Sequence, residues 1–253
     1  MRSAPTSPDR IRLDEALVAR GLAPSRSRAR DMIRRGTVGI DGTTETRPAR
    51  MVDTDTPISV NDPAVGYVSR AALKLIAGLD AFAFDPAGLT VLDLGASTGG
   101  FTQVLLERGA AHVTALDVGH GQMAPGLAAD PRVTLLEGLN ARDLAATHLA
   151  EAPAITTADL SFISLKLALP PALALAAPGA WLVALIKPQF EAGPAHISKS
   201  GLVRDAAVQE AVCRDIANWL ETAMGWRVLG TTPSPIAGGS GNREYLIAAR
   251  RNR

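Results

Sequence analysis

Two rhythms of hydrophobic and polar residues run along this chain. From Thr90 onward, short apolar runs alternate with stretches whose apolar positions fall three and four residues apart. Thr90–Leu94, His112–Val118, Val133–Leu136, Ile155–Asp159 and Trp181–Lys187 read as strands, with helices between them over stretches such as Phe101–Arg108 and Leu165–Ala176. A longer amphipathic helix follows over Asp205–Met224, then two strands over Trp226–Thr232 and Glu244–Arg250. Apolar strands separated by helices predict an α/β fold, a mostly parallel sheet covered on both faces.

Residues 9–62 follow a different rhythm and predict a small α+β domain of their own. Leu13, Ala16 and Leu17 fit one face of a short helix ended by Gly21. A second helix starts after Ser25, a good N-cap residue, and stops before Gly36. Ala29, Met32 and Ile33 form its apolar stripe, with Arg26, Arg30 and Arg34 on one flank and Arg28 and Arg35 on the other. Val38–Ile40 and Ile58–Val60 read as short strands joined by the turn dipeptide Asp41-Gly42. Residues 63–68 read as a linker to a second domain over 69–253.

Composition narrows the picture. The chain has 253 residues, 47% hydrophobic and 20% charged, enough apolar material for about two packed domains. Its single cysteine, Cys213, excludes an internal disulfide and suits a reducing compartment. The four histidines show no zinc-ligand spacing, so no metal is expected. The start of the sequence has no apolar core of a secretory signal. Leu167–Ile186 carries no charge and is long enough to span a bilayer, yet Pro170, Pro171, Pro178 and Gly179 punctuate it. It is expected to split into a helix, a turn and a buried strand. Net charge is only +1, but eight arginines against three acids between Arg20 and Arg50 concentrate positive charge in the first domain. A rigid helix presenting guanidinium groups suits RNA phosphates, and the other reading is an ordinary solvated face.

The strand VLDLG ends in Asp93-Leu94-Gly95-Ala96-Ser97-Thr98-Gly99-Gly100-Phe101, where a helix begins. Glycines at such a turn let a ligand approach the backbone. The run lacks the Gly-Lys-Ser/Thr of a P-loop, and Ser97 occupies the middle glycine of the dinucleotide pattern. Asp117, in ALDVG, stands 22 residues after Gly95, where a carboxylate can take both ribose hydroxyls of a nucleoside. Together these features favour S-adenosylmethionine, a sulfonium without pyrophosphate, over NAD; a tight turn without ligand is the alternative. On this reading Gly95, Ala96, Ser97, Gly99 and Gly100 form the cofactor turn with Asp117. Asn140 and Ala141, after the third strand, lie by the adenine.

Four more residues fall at or beside strand ends, where open α/β sheets place their sites. Lys74 lies on a helix before the first of these strands, Asp159 ends ITTAD, Lys187 ends WLVALIK, and Glu244 opens the last strand. Singly, a lysine closing a buried strand also fits snorkelling to the rim or pairing with an acid. Pro188 denies Lys187 helical geometry and so aims its amine into the crevice. Lys166 is expected on the surface.

SRAALKL, DLGASTGGF, ADLSFISL, LIKPQFEAG and GNREYL, in that order, resemble the motifs of the FtsJ-like ribosomal-RNA 2′-O-methyltransferases. RLDEAL (12–17) and SRSRARDMIRRGTVGIDG (25–42) resemble the S4 RNA-binding domain. Together they are similar to the TlyA family, some of whose members carry the name haemolysin. The resemblance implies a Rossmann-like class I methyltransferase sheet, mostly parallel with its last strand antiparallel, after a small S4-like domain. It implies S-adenosylmethionine as cofactor, ribosomal RNA or ribosomal subunits as partner, cytidine as target and a cytoplasmic setting without membrane or metal. Lys74, Asp159, Lys187 and Glu244 would be its catalytic set, and Arg12, Arg26, Arg28, Arg30, Arg34 and Arg35 its RNA contacts. A ribose 2′-hydroxyl must lose its proton during attack, and a lysine can accept it only when neutral. Two other classes stand beside this one: an RNA-binding protein with an inactive methyltransferase fold, and a membrane-lytic haemolysin.

Overall fold

The computed structural model describes residues 10–239 and 241–252. It divides into two units, the first ending at Val65 and the second beginning at Gly66. Residue 9, the expected start of the first domain, lies outside the described residues.

The first unit runs β1 (Arg10–Arg12), α1 (Leu13–Ala19), α2 (Arg26–Arg34), β2 (Val38–Ile40), β3 (Thr43–Thr44), β4 (Met51–Asp53) and β5 (Ile58–Val60). Leu13, Ala16 and Leu17 of α1 and Ala29, Met32 and Ile33 of α2 share one buried apolar cluster, as the spacing predicts. Ser25 caps α2 by accepting from the Arg28 amide at 3.2 Å. β2 pairs antiparallel with β3 on one side and β5 on the other. The Asp41-Gly42 turn therefore leads from β2 into β3, not into Ile58–Val60 as expected, because a two-residue turn must pair the residues that directly flank it.

The second unit opens with α3 (Ala72–Ala81), β6 (Thr90–Leu94), α4 (Gly100–Glu107), β7 (His112–Asp117), α5 (Pro125–Ala128) and β8 (Val133–Glu137). It continues with β9 (Ile155–Ala158), α6 (Leu165–Ala168), α7 (Pro170–Leu175), β10 (Trp181–Ile186), α8 (Pro188–Glu191), α9 (Ala206–Thr222), β11 (Trp226–Pro233) and β12 (Tyr245–Arg251). These strands form one sheet in the order β11-β12-β10-β9-β6-β7-β8. The five from β10 to β8 are parallel, and β12 runs antiparallel to both of its neighbours. Alternate residues feed two cores: Leu92 and Leu94 pack with Ile216, Leu220 and Trp226 on one face, while Val91 packs with Leu75, Leu79 and Phe101 on the other.

The chain builds outward from β6 to β8, then returns to place β9 on the opposite side of β6. That reversal makes a switch point, and the crevice outside the carboxyl ends of β6 and β9 is where such sheets bind ligands. The uncharged run 167–186 resolves as its prolines dictate. Pro170 takes the first position of α7 and divides the expected Leu165–Ala176 helix into α6 and α7. Gly179 turns the chain at φ +73°, and Leu182–Ile186 is buried in β10. No helix among the described residues is long and apolar enough to cross a membrane.

Candidate active site

Lys74, Asp159, Lys187 and Glu244 meet at the switch point. Lys74, from the first turn of α3, donates to Glu244 Oε2 at 2.6 Å and lies 3.5 Å from Asp159 Oδ2. Asp159 Oδ1 lies 2.6 Å from Lys187 Nζ. Lys187 donates in turn to Ser161 Oγ at 2.8 Å. Each of the last three tetrad residues stands one position outside a strand: Asp159 after β9, Lys187 after β10, Glu244 before β12. Because β12 is antiparallel and Ile186 registers with Tyr245, the amino end of β12 is brought beside the carboxyl end of β10. Lys187 is extended (φ −112°, ψ 99°) and Pro188 opens α8, as the sequence predicts. Lys74, Lys187 and Glu244 are buried and Asp159 is partly so, and the two cations and two anions compensate each other with little access to water. Asp159 Oδ1 is buried without a well-angled hydrogen bond, its approach to Lys187 being an ion pair only.

The glycine turn lies against this group. A Cβ on Gly95 (φ +78°) would meet the Asp159 carbonyl at 2.7 Å, so only glycine lets the two turns touch. Ser97 holds a left-handed conformation (φ +48°), the one that a glycine at its place in the dinucleotide pattern would adopt freely. Its amide donates to Asp117 Oδ2 at 2.8 Å, and the Gly119 amide donates to Oδ1 at 2.7 Å. Asp117 is therefore fixed at the end of β7 by backbone on both oxygens, with lone pairs left over for a ligand. Beneath the turn, Asp93 is fully buried and accepts from Thr102 Oγ1 at 2.7 Å and Thr157 Oγ1 at 2.9 Å. Burial pushes its carboxyl up to about 6, against the pull of the two threonines.

Two adjoining cavities open here. One of about 190 Å³ is lined by Gly95–Thr98, Gly100, Asp159, Ser161 and Lys187. The other, about 810 Å³, is lined by Gly95, Ser97, Asp117, Val118, Asn140, Ala141, Ser161, Phe162 and Phe190, among others. All the expected cofactor residues reach one or other cavity except Gly99. That residue sits left-handed (φ +96°) at the start of α4, its α-carbon turned toward Leu127. The glycine walls, which a Cβ would fill, and the fixed carboxylate of Asp117 fit a nucleoside held against the backbone.

Several residues at the site were not anticipated. Ser161 joins the tetrad through Lys187. Phe162 is 91% exposed at φ +63°, its ring 5.2 Å from that of Phe190. Hydrophobic patterning assigns a phenylalanine to a core, so only its place directly after Asp159-Leu160-Ser161 could have signalled it. Asn242 pins the preceding loop by accepting from the Val203 amide at 3.0 Å and donating to the Gly201 carbonyl at 2.9 Å. Lys166, expected on the surface, is partly exposed and donates to Asp215 at 2.7 Å.

In the first unit the arginines are largely committed. Arg12, Arg26 and Arg30 converge on the buried Asp14, at 3.0, 3.4 and 2.7 Å. Burial pushes the Asp14 carboxyl up, but hydrogen bonds from Arg12 and Arg30 and the nearby positive charge hold it well below the usual carboxylate range. Arg35 grips Asp62 at 2.6 Å and Asp31 at 2.9 Å, and Arg28 donates to the Ala64 carbonyl at 3.0 Å. Arg34 is exposed.

This sheet order, with its glycine turn and acid at successive strand ends, defines a class I methyltransferase fold. The FtsJ-like methyltransferase family matches residues 67–251, and the S4 domain family matches residues 11–58. The 16S/23S rRNA (cytidine-2′-O)-methyltransferase TlyA of Mycobacterium tuberculosis is 45% identical over 95% of this chain and 90% of its own. Hemolysin A of Brachyspira hyodysenteriae is 39% identical over 93% of this chain and 98% of its own. The structure of a hemolysin-named protein of Streptococcus thermophilus superposes with a TM-score of 0.77 at 35% identity, covering 98% of this chain and 90% of that one. The chain belongs to the TlyA family of FtsJ-like methyltransferases, with an S4 domain preceding the catalytic fold.

Proposed function

We propose that this protein transfers a methyl group from S-adenosylmethionine to a ribose 2′-hydroxyl of ribosomal RNA, with cytidine as the target nucleotide. The observation that carries the reading is the continuous chain of contacts Glu244–Lys74–Asp159–Lys187 beside the glycine-walled cavities. The names of the Mycobacterium tuberculosis relative and of a Campylobacter jejuni relative, a 23S rRNA (cytidine-2′-O)-methyltransferase, support the substrate.

When bound, S-adenosylmethionine supplies a methyl group activated by its sulfonium. Asp117 and the amides of the Gly95–Gly100 turn hold the nucleoside end, with Val118 and Ala141 offering apolar contact to its base. Asp159 Oδ1 is held against Lys187 Nζ at 2.6 Å and keeps that amine at the cavity wall. Lys187 Nζ would accept the proton that the substrate 2′-hydroxyl gives up when the methyl group leaves the sulfonium for its oxygen. Lys74 and Glu244, buried behind Asp159, position that carboxylate. Much of the rate comes from holding the reacting atoms in line. The S4 unit supplies phosphate contacts through α2, and the exposed Phe162 offers a face on which a nucleobase can stack.

Incubation with methyl-labelled S-adenosylmethionine and ribosomal subunits tests the proposal. Label in rRNA at positions resistant to alkaline cleavage, the mark of a blocked 2′-oxygen, is the expected result. Label confined to bases, or none, refutes it. The hemolysin-named relatives make red-cell lysis a second assay, in which the proposal expects no lysis.

A further inference from the structure

We infer that Ser161 is the residue that orients the amine of Lys187, and so is a positioning residue for proton removal from the substrate hydroxyl. The inference rests on the methyl-transfer reading above and assigns a role to a fifth side chain at that site.

Two groups lie against Lys187 Nζ, and they are not equivalent. Asp159 Oδ1 is close, at 2.6 Å, but makes no well-angled hydrogen bond. Ser161 Oγ, at 2.8 Å, is a true acceptor. An amine that is to take a proton has two N–H bonds and one lone pair. With one N–H directed to Ser161 and the other drawn toward the Asp159 carboxylate, the lone pair has only the open side of the nitrogen left. That side is the cavity, because Lys187 and Ser161 line it together. Without the hydroxyl, nothing fixes rotation about the Cε–Nζ bond. Asp159, the stronger attractor, would then collect N–H bonds in varying orientations, and the lone pair would lose its aim.

Ser161 is also held where this role needs it. It stands two residues after Asp159, and the next residue, Phe162, sits in the left-handed region at φ +63°. A non-glycine residue in that region persists only where its surroundings impose it. On the other side, Asp159 touches the backbone of Gly95 so closely that no side chain fits between them. The turn carrying Ser161 is therefore clamped to the glycine turn, at the wall the two cavities share.

The test compares Ser161→Ala and Ser161→Thr with the wild-type chain, using labelled S-adenosylmethionine and ribosomal subunits for steady-state rates and calorimetry for cofactor binding. Ser161→Ala is expected to lower kcat by about ten- to a hundredfold, part of the usual contribution of a general base. Its KM for RNA and its affinity for S-adenosylmethionine should stay within about twofold, because the hydroxyl's hydrogen bond is made to Lys187 and not spent on either ligand. Ser161→Thr keeps the hydroxyl and should recover most of the rate. Wild-type kcat in Ser161→Ala would overturn the inference. So would a loss that appears in cofactor affinity or KM and that threonine fails to rescue, since that pattern marks a structural residue. A wild-type chain that methylates no rRNA would instead bring down the functional reading itself, before any variant is compared.

Discussion

Asp93 shows how much a single buried side chain can carry. It lies under the glycine turn with no exposed surface, compensated by two threonine hydroxyls and the Thr102 backbone rather than by a positive charge. Its carboxyl rises from the ordinary 3.8 to about 6 because burial disfavours the charged form. Below about pH 4 the acid is protonated in both folded and unfolded chains and contributes no difference. Between about pH 4 and pH 6 the unfolded chain gives up this proton while the folded chain keeps it, so stability falls, and above about pH 6, where the folded chain carries the buried charge, the loss is complete. The full shift corresponds to roughly 3 kcal/mol. Denaturant unfolding without ligand should therefore show the wild type losing stability relative to Asp93→Asn between pH 4 and pH 8; parallel pH profiles would contradict this. Phe162 makes a different prediction. Exposed and strained, it contributes little to folding. Phe162→Ala should keep the melting temperature and cofactor affinity but raise KM for RNA about tenfold, consistent with the ~1–3 kcal/mol of a base stacked on an aromatic ring. An unchanged KM would remove the ring from substrate contact.

Among the elements, α2 shows where a residue pattern misleads about use. Its stripe of Ala29, Met32 and Ile33 was plain from spacing, and so were the flanking arginines. What the spacing could not reveal is that Asp14, from α1, is fully buried and draws Arg12, Arg26 and Arg30 onto itself. Removing Arg30 therefore strips a buried carboxylate of a close partner, and a fall in RNA binding would be mixed with a fall in stability. Arg34 separates the two effects. Arg34→Ala should reduce the salt dependence of RNA binding by about one log unit per lost phosphate contact and leave the melting temperature unchanged. Arg30→Ala should lower the melting temperature as well. An unchanged salt slope in Arg34→Ala would take that face of α2 out of the RNA contact. Acid acts on the same cluster: the lowered Asp14 carboxyl contributes stability above about pH 4, and this is lost as pH falls below that value.

The central strands were equally plain, since apolar runs in a sheet buried on both faces leave little doubt about place or length. The misses have local causes. β2 and β5, three residues each, carry apolar residues at both alternate positions, whereas β1 (Arg-Ile-Arg), β3 (Thr-Thr) and β4 (Met-Val-Asp) are as short and show no such alternation. The Leu165–Ala176 helix divides because Pro170 is better placed to start a helix than to continue one. Ser161, Phe162 and Asn242 went unread because each works through a turn or a loop, where no periodicity points to a side chain's partner.

At the scale of the molecule, the active site is a product of topology. Lys74 and Glu244 are 170 residues apart, yet they meet at 2.6 Å because β12 runs antiparallel beside β10 and starts where β10 ends. The identity of the four tetrad residues could be read from motifs in the sequence, but their connection could not. It depends on strand pairing, and so does the ion pair between Asp159 and Lys187. That connection is what makes the chain a catalyst on this reading, and one variant tests it most directly. Lys187→Arg keeps the positive charge and much of the reach, but a guanidinium stays protonated and cannot accept the hydroxyl proton. Measured in single turnover on ribosomal subunits, Lys187→Arg should transfer methyl groups about a hundredfold or more slowly than wild type, with S-adenosylmethionine and RNA binding near normal. Wild-type turnover in Lys187→Arg would contradict the assignment of Lys187 as the proton acceptor.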